Sequence, residues 1–197
     1  MTSVPELQRE LRQCQRCLTD GTLSAVAPVV AGPAGARFLL VGQAPGPVEI
    51  NTRLPFSGRA GRELARWMIR AGFKDEADFR ARIYLSAMAR CFPGRNAADS
   101  GDLPPSRAQR RNCLPWLAAE LELLRPKVVI TVGKMATDHF LGPGPLGDRV
   151  GQLYSANPSV LPLPHPSGQN RWLNVQENRD RLALALNLLS ELRVFVR

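Results

Sequence analysis

Apolar residues recur along this chain in two rhythms. Arg37-Phe38-Leu39-Leu40-Val41 and Lys127-Val128-Val129-Ile130-Thr131-Val132 are short, nearly unbroken apolar runs ending at glycines, which predicts strands buried on both faces. Arg82-Ile83-Tyr84-Leu85-Ser86-Ala87 alternates as a further strand. Val160-Leu161-Pro162-Leu163-Pro164 makes a last, short one, whose prolines place it at a sheet edge because they cannot donate to a ladder. Between these runs the period lengthens to that of helices. Pro5 to Arg12 predicts a short helix. Gly58 to Gly72 carries Ala60, Leu64, Trp67 and Met68 at helical spacing, and Lys74 to Ala81 predicts a short helix after it. Ser106 is a natural N-cap for a helix to Leu124, with Cys113, Leu117, Leu121 and Leu124 along one face. Lys134 to Leu141 and Asn178 to Val194 complete the set. Strands alternating with helices predict an α/β fold: a three-layer α/β/α sandwich around a central, mostly parallel four-stranded sheet, in one domain spanning residues 1–197.

The stretch Val41-Gly42-Gln43-Ala44-Pro45-Gly46 closes the first strand in a glycine–proline turn shortly before a helix. Such a turn brings backbone N–H groups to the carboxyl edge of the sheet, where open α/β folds bind ligands. Glu49, Asn51, Pro55 and Phe56 follow it to the same mouth. His165-Pro166-Ser167-Gly168, at the end of the last strand, shares that edge, as does the region from Ser86 to Met88. The turn is neither Gly-x-Gly-x-x-Gly nor a P-loop, which argues against a small-molecule α/β enzyme that uses the glycine turn to hold phosphate.

Charge narrows the choice of partner. The 197 residues carry a formal charge of +9, and with only three lysines, Lys74, Lys127 and Lys134, among 26 basic residues, arginine supplies nearly all of it. Arginine grips phosphate through two parallel hydrogen bonds, so a nucleic acid is the expected partner, against an ordinary basic surface as the plain alternative. No apolar run is long enough to span a bilayer, and the first residues lack a secretory pattern. A monomer in the cytoplasm, at the nucleoid, is expected.

Four cysteines stand in order: Cys14-x-x-Cys17, then Cys91 and Cys113. The first pair lies in a polar segment with Arg12 and Arg16, unlike a core thiol. Four thiolates at one point fit zinc or an iron–sulfur cluster, and spacing alone leaves both open.

At this point the residues resemble a known family. Gly42-Gln43-Ala44-Pro45-Gly46, Glu49, and Pro55-Phe56-x-Gly58-x-Ala60-Gly61 are similar to the first motif of the uracil-DNA glycosylase superfamily, and the cysteine order is similar to its family-four branch. His165-Pro166-Ser167-Gly168-Gln169-Asn170 resembles the second motif, in the form found in the single-strand-selective branch. The resemblance implies a [4Fe–4S] cluster on Cys14, Cys17, Cys91 and Cys113, DNA as partner, and hydrolytic excision of uracil or a related deaminated base. Two departures stand out. Gln43 and Ile50 replace acidic residues of the family pattern, and Ala87, beside Ser86, occupies the position of the asparagine that reads the uracil edge. A member of the same superfamily that binds damaged DNA without turnover is therefore the alternative.

The resemblance also assigns roles. His165 would donate to the base oxygen that gains charge, while His139, in mid-helix, reads as a packed or solvated side chain. Gly42 and Ala44 would line the base pocket with Ser86 and Ala87, and Phe56 would stack on the flipped base. Gln43, Glu49 or Asn51 would orient water. No lysine lies in a motif, so a covalent amine intermediate is disfavoured. Ser167, Gly168, Gln169, Asn170 and Arg171 would press into the DNA, with Gln169 or Trp172 filling the vacated stack. Arg12, Arg16, Arg90 and Arg95 would meet the backbone.

Overall fold

The structure, a computed structural model, describes residues 2–98, 101–168 and 170–196. Strands β1 (Phe38–Gly42) and β3 (Val128–Val132) are buried at all five positions each and form the centre of a four-stranded sheet. That burial on both faces is why each reads as a continuous apolar run. Strands β2 (Ile83–Ala87) and β4 (Ser159–Leu163) flank them in the order β2-β1-β3-β4. All three pairings are parallel, with Gly42 level with Ala87 and Thr131 level with Pro162. Pro162 thus sits in an edge strand, where a missing N–H costs the ladder least. Single antiparallel bridges, Ala31 to Leu85 and Tyr154 to Val160, lay loop segments against the two edge strands.

Alternation along each strand sends side chains to two different helical layers. Phe38, Leu40, Ile130 and Leu161 pack with α4 (Arg59–Arg70), α5 (Glu76–Arg82) and α8 (Gln176–Phe195) through Leu64, Trp67, Phe79 and Leu186. Leu39, Val41, Tyr84 and Val129 pack with α1 (Val4–Arg12), α6 (Arg107–Leu124) and α7 (Lys134–Leu141) through Leu7, Leu11, Trp116, Leu117 and Ala136. The three-layer expectation therefore holds. Among the described residues no helix is long and apolar enough to cross a membrane.

Topology fixes where a site can lie. The chain leaves β1 toward α4 in one layer and leaves the adjacent β3 toward α7 in the other. Their carboxyl ends diverge, and all four strands, being parallel, end at the one edge where such folds bind ligands.

Three short elements escape the periodic reading: α2 (Arg16–Thr19), α3 (Pro47–Thr52) and a 3-10 turn, Arg171–Asn174. Each is one turn or two, too brief to display a hydrophobic period. Helix α5 starts two residues later than expected because Asp75 caps it, its Oδ1 accepting from Asp78 N at 2.8 Å.

Candidate active site and cysteine cavity

At that edge lies a cleft of about 730 Å³. Its walls come from the β1 turn (Gly42 to Gly46), the Pro55–Phe56 loop, the end of β2, and His165 to Gly168 after β4. The two motifs at opposite ends of the sequence therefore face one another across a single space.

Phe56 explains two of the glycines nearby. Its backbone lies in the left-handed region, at φ 53°, unusual for a side chain of its size. A Cβ on Gly61 would lie 1.8 Å from Phe56 O, and one on Gly42 would lie 2.7 Å from the end of its ring. Both positions need glycine for the loop to settle on the strand end. Arg80, which lies in no motif, holds the loop in place: Nη1 donates to Pro55 O at 2.8 Å and Nη2 to Phe56 O at 2.9 Å.

Glu49 is 9% exposed, so it is not an ordinary loop carboxylate. Its Oε2 accepts from Gly46 N at 3.1 Å and its Oε1 from Gly58 N at 2.8 Å. The carboxylate ties the start of α3 to the start of α4. Two expectations change with this geometry. The Gly46 N–H is committed to Glu49 and is not spare for an anion. Asn51 is exposed on α3 and does not line the cleft, so its assignment to water is withdrawn. Gln43 does line the cleft, as do Ala44, Ser86 and Ala87. Asp102, from the loop between β2 and α6, joins them. Its Oδ2 lies 3.2 Å from where a Gly46 Cβ would be, on the same side as Glu49 Oε2. Only the folding of a long irregular loop brings it there, and no motif flags it.

His165 is partly buried and packs on Gly133, whose virtual Cβ would lie 3.4 Å from the imidazole Cδ2. Its Nδ1 accepts from Ser167 N at 3.2 Å, which assigns the ring proton to Nε2. Burial also lowers its pKa below the ordinary value, so the ring is neutral at pH 7. Asn170 braces the same loop. Its Nδ2 donates to His165 O at 2.8 Å and its Oδ1 accepts from Trp172 N at 3.2 Å. Asn170 thus braces the turn, and Trp172, half-buried, packs against the core. Ser167 and Gly168 line the cleft, Arg171 is exposed, and Gln169 lies outside the described residues.

All four cysteines line a second, smaller cavity, together with Leu11, Arg90 and Trp116. Helices α1, α2 and α6 and the segment after β2 bring them together. Trp116 Nε1 donates to Cys14 Sγ at 3.3 Å, Asn112 Nδ2 to Cys17 Sγ at 3.4 Å, and Arg90 N to Cys113 Sγ at 3.4 Å. N–H groups aimed at sulfur suit ligated thiolates, whose negative charge they stabilise. Burial pushes the Cys91 thiol up to about 12 and Cys113 upward as well, so these sulfurs keep their protons unless a cation displaces them. Among the described residues no group of three or more His, Cys, Asp or Glu side chains stands as a ready-made metal-ion site. The donor set, four sulfurs around a shared space, fits a polynuclear iron–sulfur group. Arg90, expected at the DNA backbone, is instead 2% exposed beside this cavity.

A family model described as the uracil DNA glycosylase superfamily matches residues 29–190. The chain belongs to that superfamily. Its parallel four-stranded sheet with helices around it is that of a superfamily member, as the motifs led one to expect. Curated relatives include a Type-4 uracil-DNA glycosylase of Archaeoglobus fulgidus, 29% identical over 136 residues, covering 69% of this chain and 62% of the relative. Another of the same description, from Sulfurisphaera tokodaii, is 26% identical over 140 residues, covering 71% and 59%. A Type-5 uracil-DNA glycosylase of Pyrobaculum aerophilum is 28% identical over 115 residues, covering 53% and 48%. The chain spans about three fifths of the length of the Type-4 relatives it matches.

Proposed function

We propose that this protein is a monofunctional DNA glycosylase that excises uracil, or a related deaminated base, by hydrolysis. The observation that carries the reading is the meeting of His165 and the Gly42–Gly46 turn in one cleft. The target nucleotide leaves the stack and enters that cleft, because the bond to be broken is hidden in paired DNA. Phe56, fixed over Gly42, forms an apolar wall for it. The bond between sugar C1′ and the base nitrogen breaks with both electrons going to the base. His165 Nε2–H donates to the oxygen where that charge gathers; a neutral imidazole makes the donation without handing over its proton. Water then adds to C1′ and loses a proton to a cleft group. Gln43 and Glu49 orient it, with Asp102 as a third candidate brought in by the fold.

Ala87 presents no amide to the base. The recognition that an asparagine would supply falls to backbone and to Gln43, and a broader choice of deaminated bases follows. Arg59 and Arg95, both lining the cleft, and exposed Arg171 supply phosphate contacts. Cys14, Cys17, Cys91 and Cys113 would hold a [4Fe–4S] cluster. Bound there, it supplies a structural cross-link among α1, α2, the segment after β2, and α6, away from the reacting bond.

The test is a panel of oligonucleotides carrying uracil, hypoxanthine or xanthine, single- and double-stranded, incubated with the protein and then cleaved at abasic sites with alkali. Strand cleavage at one or more of these bases is expected. His165→Ala should slow it by about 10²–10³-fold, the usual cost of one anion-stabilising donor. Base-dependent binding with no cleavage by the wild type would establish the non-catalytic alternative.

A further inference from the structure

One charged pair lies outside the chemistry assigned so far. Arg90 Nη2 and Glu120 Oε2 meet at 2.5 Å, with the two side chains 2% and 0% exposed. Pairs buried this deeply rarely repay their desolvation as stability, so this one asks for another reason. Its neighbours on each side suggest one. Toward the cleft, Ser86 Oγ donates to the same Oε2 at 2.7 Å, and Ser86 lines the cleft. Toward the cysteines, Arg90 lines their cavity, precedes Cys91, and donates its backbone N–H to Cys113 Sγ. Arg90 Nε and Nη1 are buried with no hydrogen-bond partner among the described residues. A guanidinium carries five N–H donors, and leaving several idle in the interior is costly.

We infer that Arg90 is the counter-charge of the iron–sulfur cluster, and that Glu120, sharing the guanidinium, limits how much of that charge the cluster senses. The inference rests on the cluster reading given above. A cluster held by four thiolates is a net anion whose sulfurs accept hydrogen bonds, and its potential depends on nearby charge and N–H donors. A side chain with idle donors at that cavity matches this need. Glu120 sits on α6, seven residues beyond Cys113, and holds Ser86 with the same oxygen that holds Arg90. A continuous path, Ser86–Glu120–Arg90–cysteine cavity, therefore joins the cleft floor to the cluster. Arg90 and Glu120 are positioning residues in this scheme; neither touches the reacting bond.

The signature is a pair of opposite shifts. The full-length protein is purified without oxygen, its iron and acid-labile sulfide are measured, and the cluster is titrated with redox mediators while its visible absorption is followed. Arg90→Gln removes a positive charge, so at a fixed poise the reduced-to-oxidised ratio should fall roughly tenfold or more, about 59 mV for a one-electron couple. Glu120→Gln frees the guanidinium and should raise the ratio. Arg90→Lys should stay near wild type, and the Arg90→Gln/Glu120→Gln double variant should fall between the two singles. Shifts of the same sign, or none, would overturn the inference, because damage to packing has no reason to respect charge. Should Arg90→Gln fail to fold, Glu120→Gln decides alone: an upward shift supports the inference and an unchanged potential refutes it. A wild type purified without iron would sink the cluster reading and this inference together, whereas iron with unmoved potentials sinks only the inference.

Discussion

At the scale of single residues, His165 enters the cleft as a neutral ring because burial opposes the cation and Ser167 N–H occupies Nδ1. Proton NMR should give it a titration midpoint below the ordinary value of about 6.5. The linkage follows from the sign of that shift. The unfolded chain takes up a proton near pH 6.5 and the folded one only lower, so the stabilisation is complete above that value. It is lost as pH falls through the lowered folded pKa. His139, also shifted downward by burial, adds an effect of the same sign. Urea midpoints measured from pH 7.5 to 5 should therefore drop, and drop less in His165→Gln. Glu49 offers a second contrast. Glu49→Gln turns one acceptor into a donor facing Gly46 N–H or Gly58 N–H, and should cost about 1–3 kcal/mol in denaturant unfolding. Asn51→Ala should change neither stability nor cleavage, since that side chain faces solvent outside the cleft.

Among the elements, α4 owes its role to its first turn rather than to its apolar stripe. Gly58 caps it, Gly61 receives the Phe56 peptide, and Arg80 on α5 clamps the loop from the other side. Gly61→Ala puts a methyl within 1.8 Å of a carbonyl oxygen and must displace Phe56. Base excision should fall at least about tenfold even where circular dichroism shows the helices intact, the cost of an ångström-scale misplacement. Arg80→Ala removes both clamps together with the ion pair to Glu76, and the same readout should show a smaller loss, partly as weaker binding. Helix α6 joins three tasks along one face. Ser106 and Gln109 close its N-terminus, Cys113 and Trp116 serve the sulfur cavity, and Glu120 reaches Ser86. Ser106→Ala should cost about 1 kcal/mol, the usual value of a lost N-cap, without altering the visible absorption expected of the proposed cluster.

Over the whole molecule, a formal charge of +9 with arginines at the cleft predicts binding driven by release of counterions. The logarithm of DNA affinity should fall with the logarithm of salt with a slope of about −3 or steeper, the equivalent of roughly four phosphate contacts. A flat response would detach the basic composition from the proposed substrate. The cleft sits where it does because the parallel sheet brings the ends of β1, β2 and β4, with the loops that follow them, to one edge.

Much of this was legible before any coordinates. Strands buried on both faces must be apolar throughout, and helices between them must show a stripe, so the three-layer fold was written in the periodicity. The glycine–proline turn, the cysteine order and the histidine at the last strand's end were visible because their chemistry needs particular residue types at fixed local spacing. Other features had no local signal. Asp102 and Arg80 act across distances that only folding closes, and Glu49 and Asn51, two residues apart, differ because one is turned inward to receive two backbone N–H groups. Arg90 looked like one more surface arginine. Tertiary structure made it a buried charge between four sulfurs and a carboxylate, because burial and partnership belong to the packed chain and not to the order of its residues.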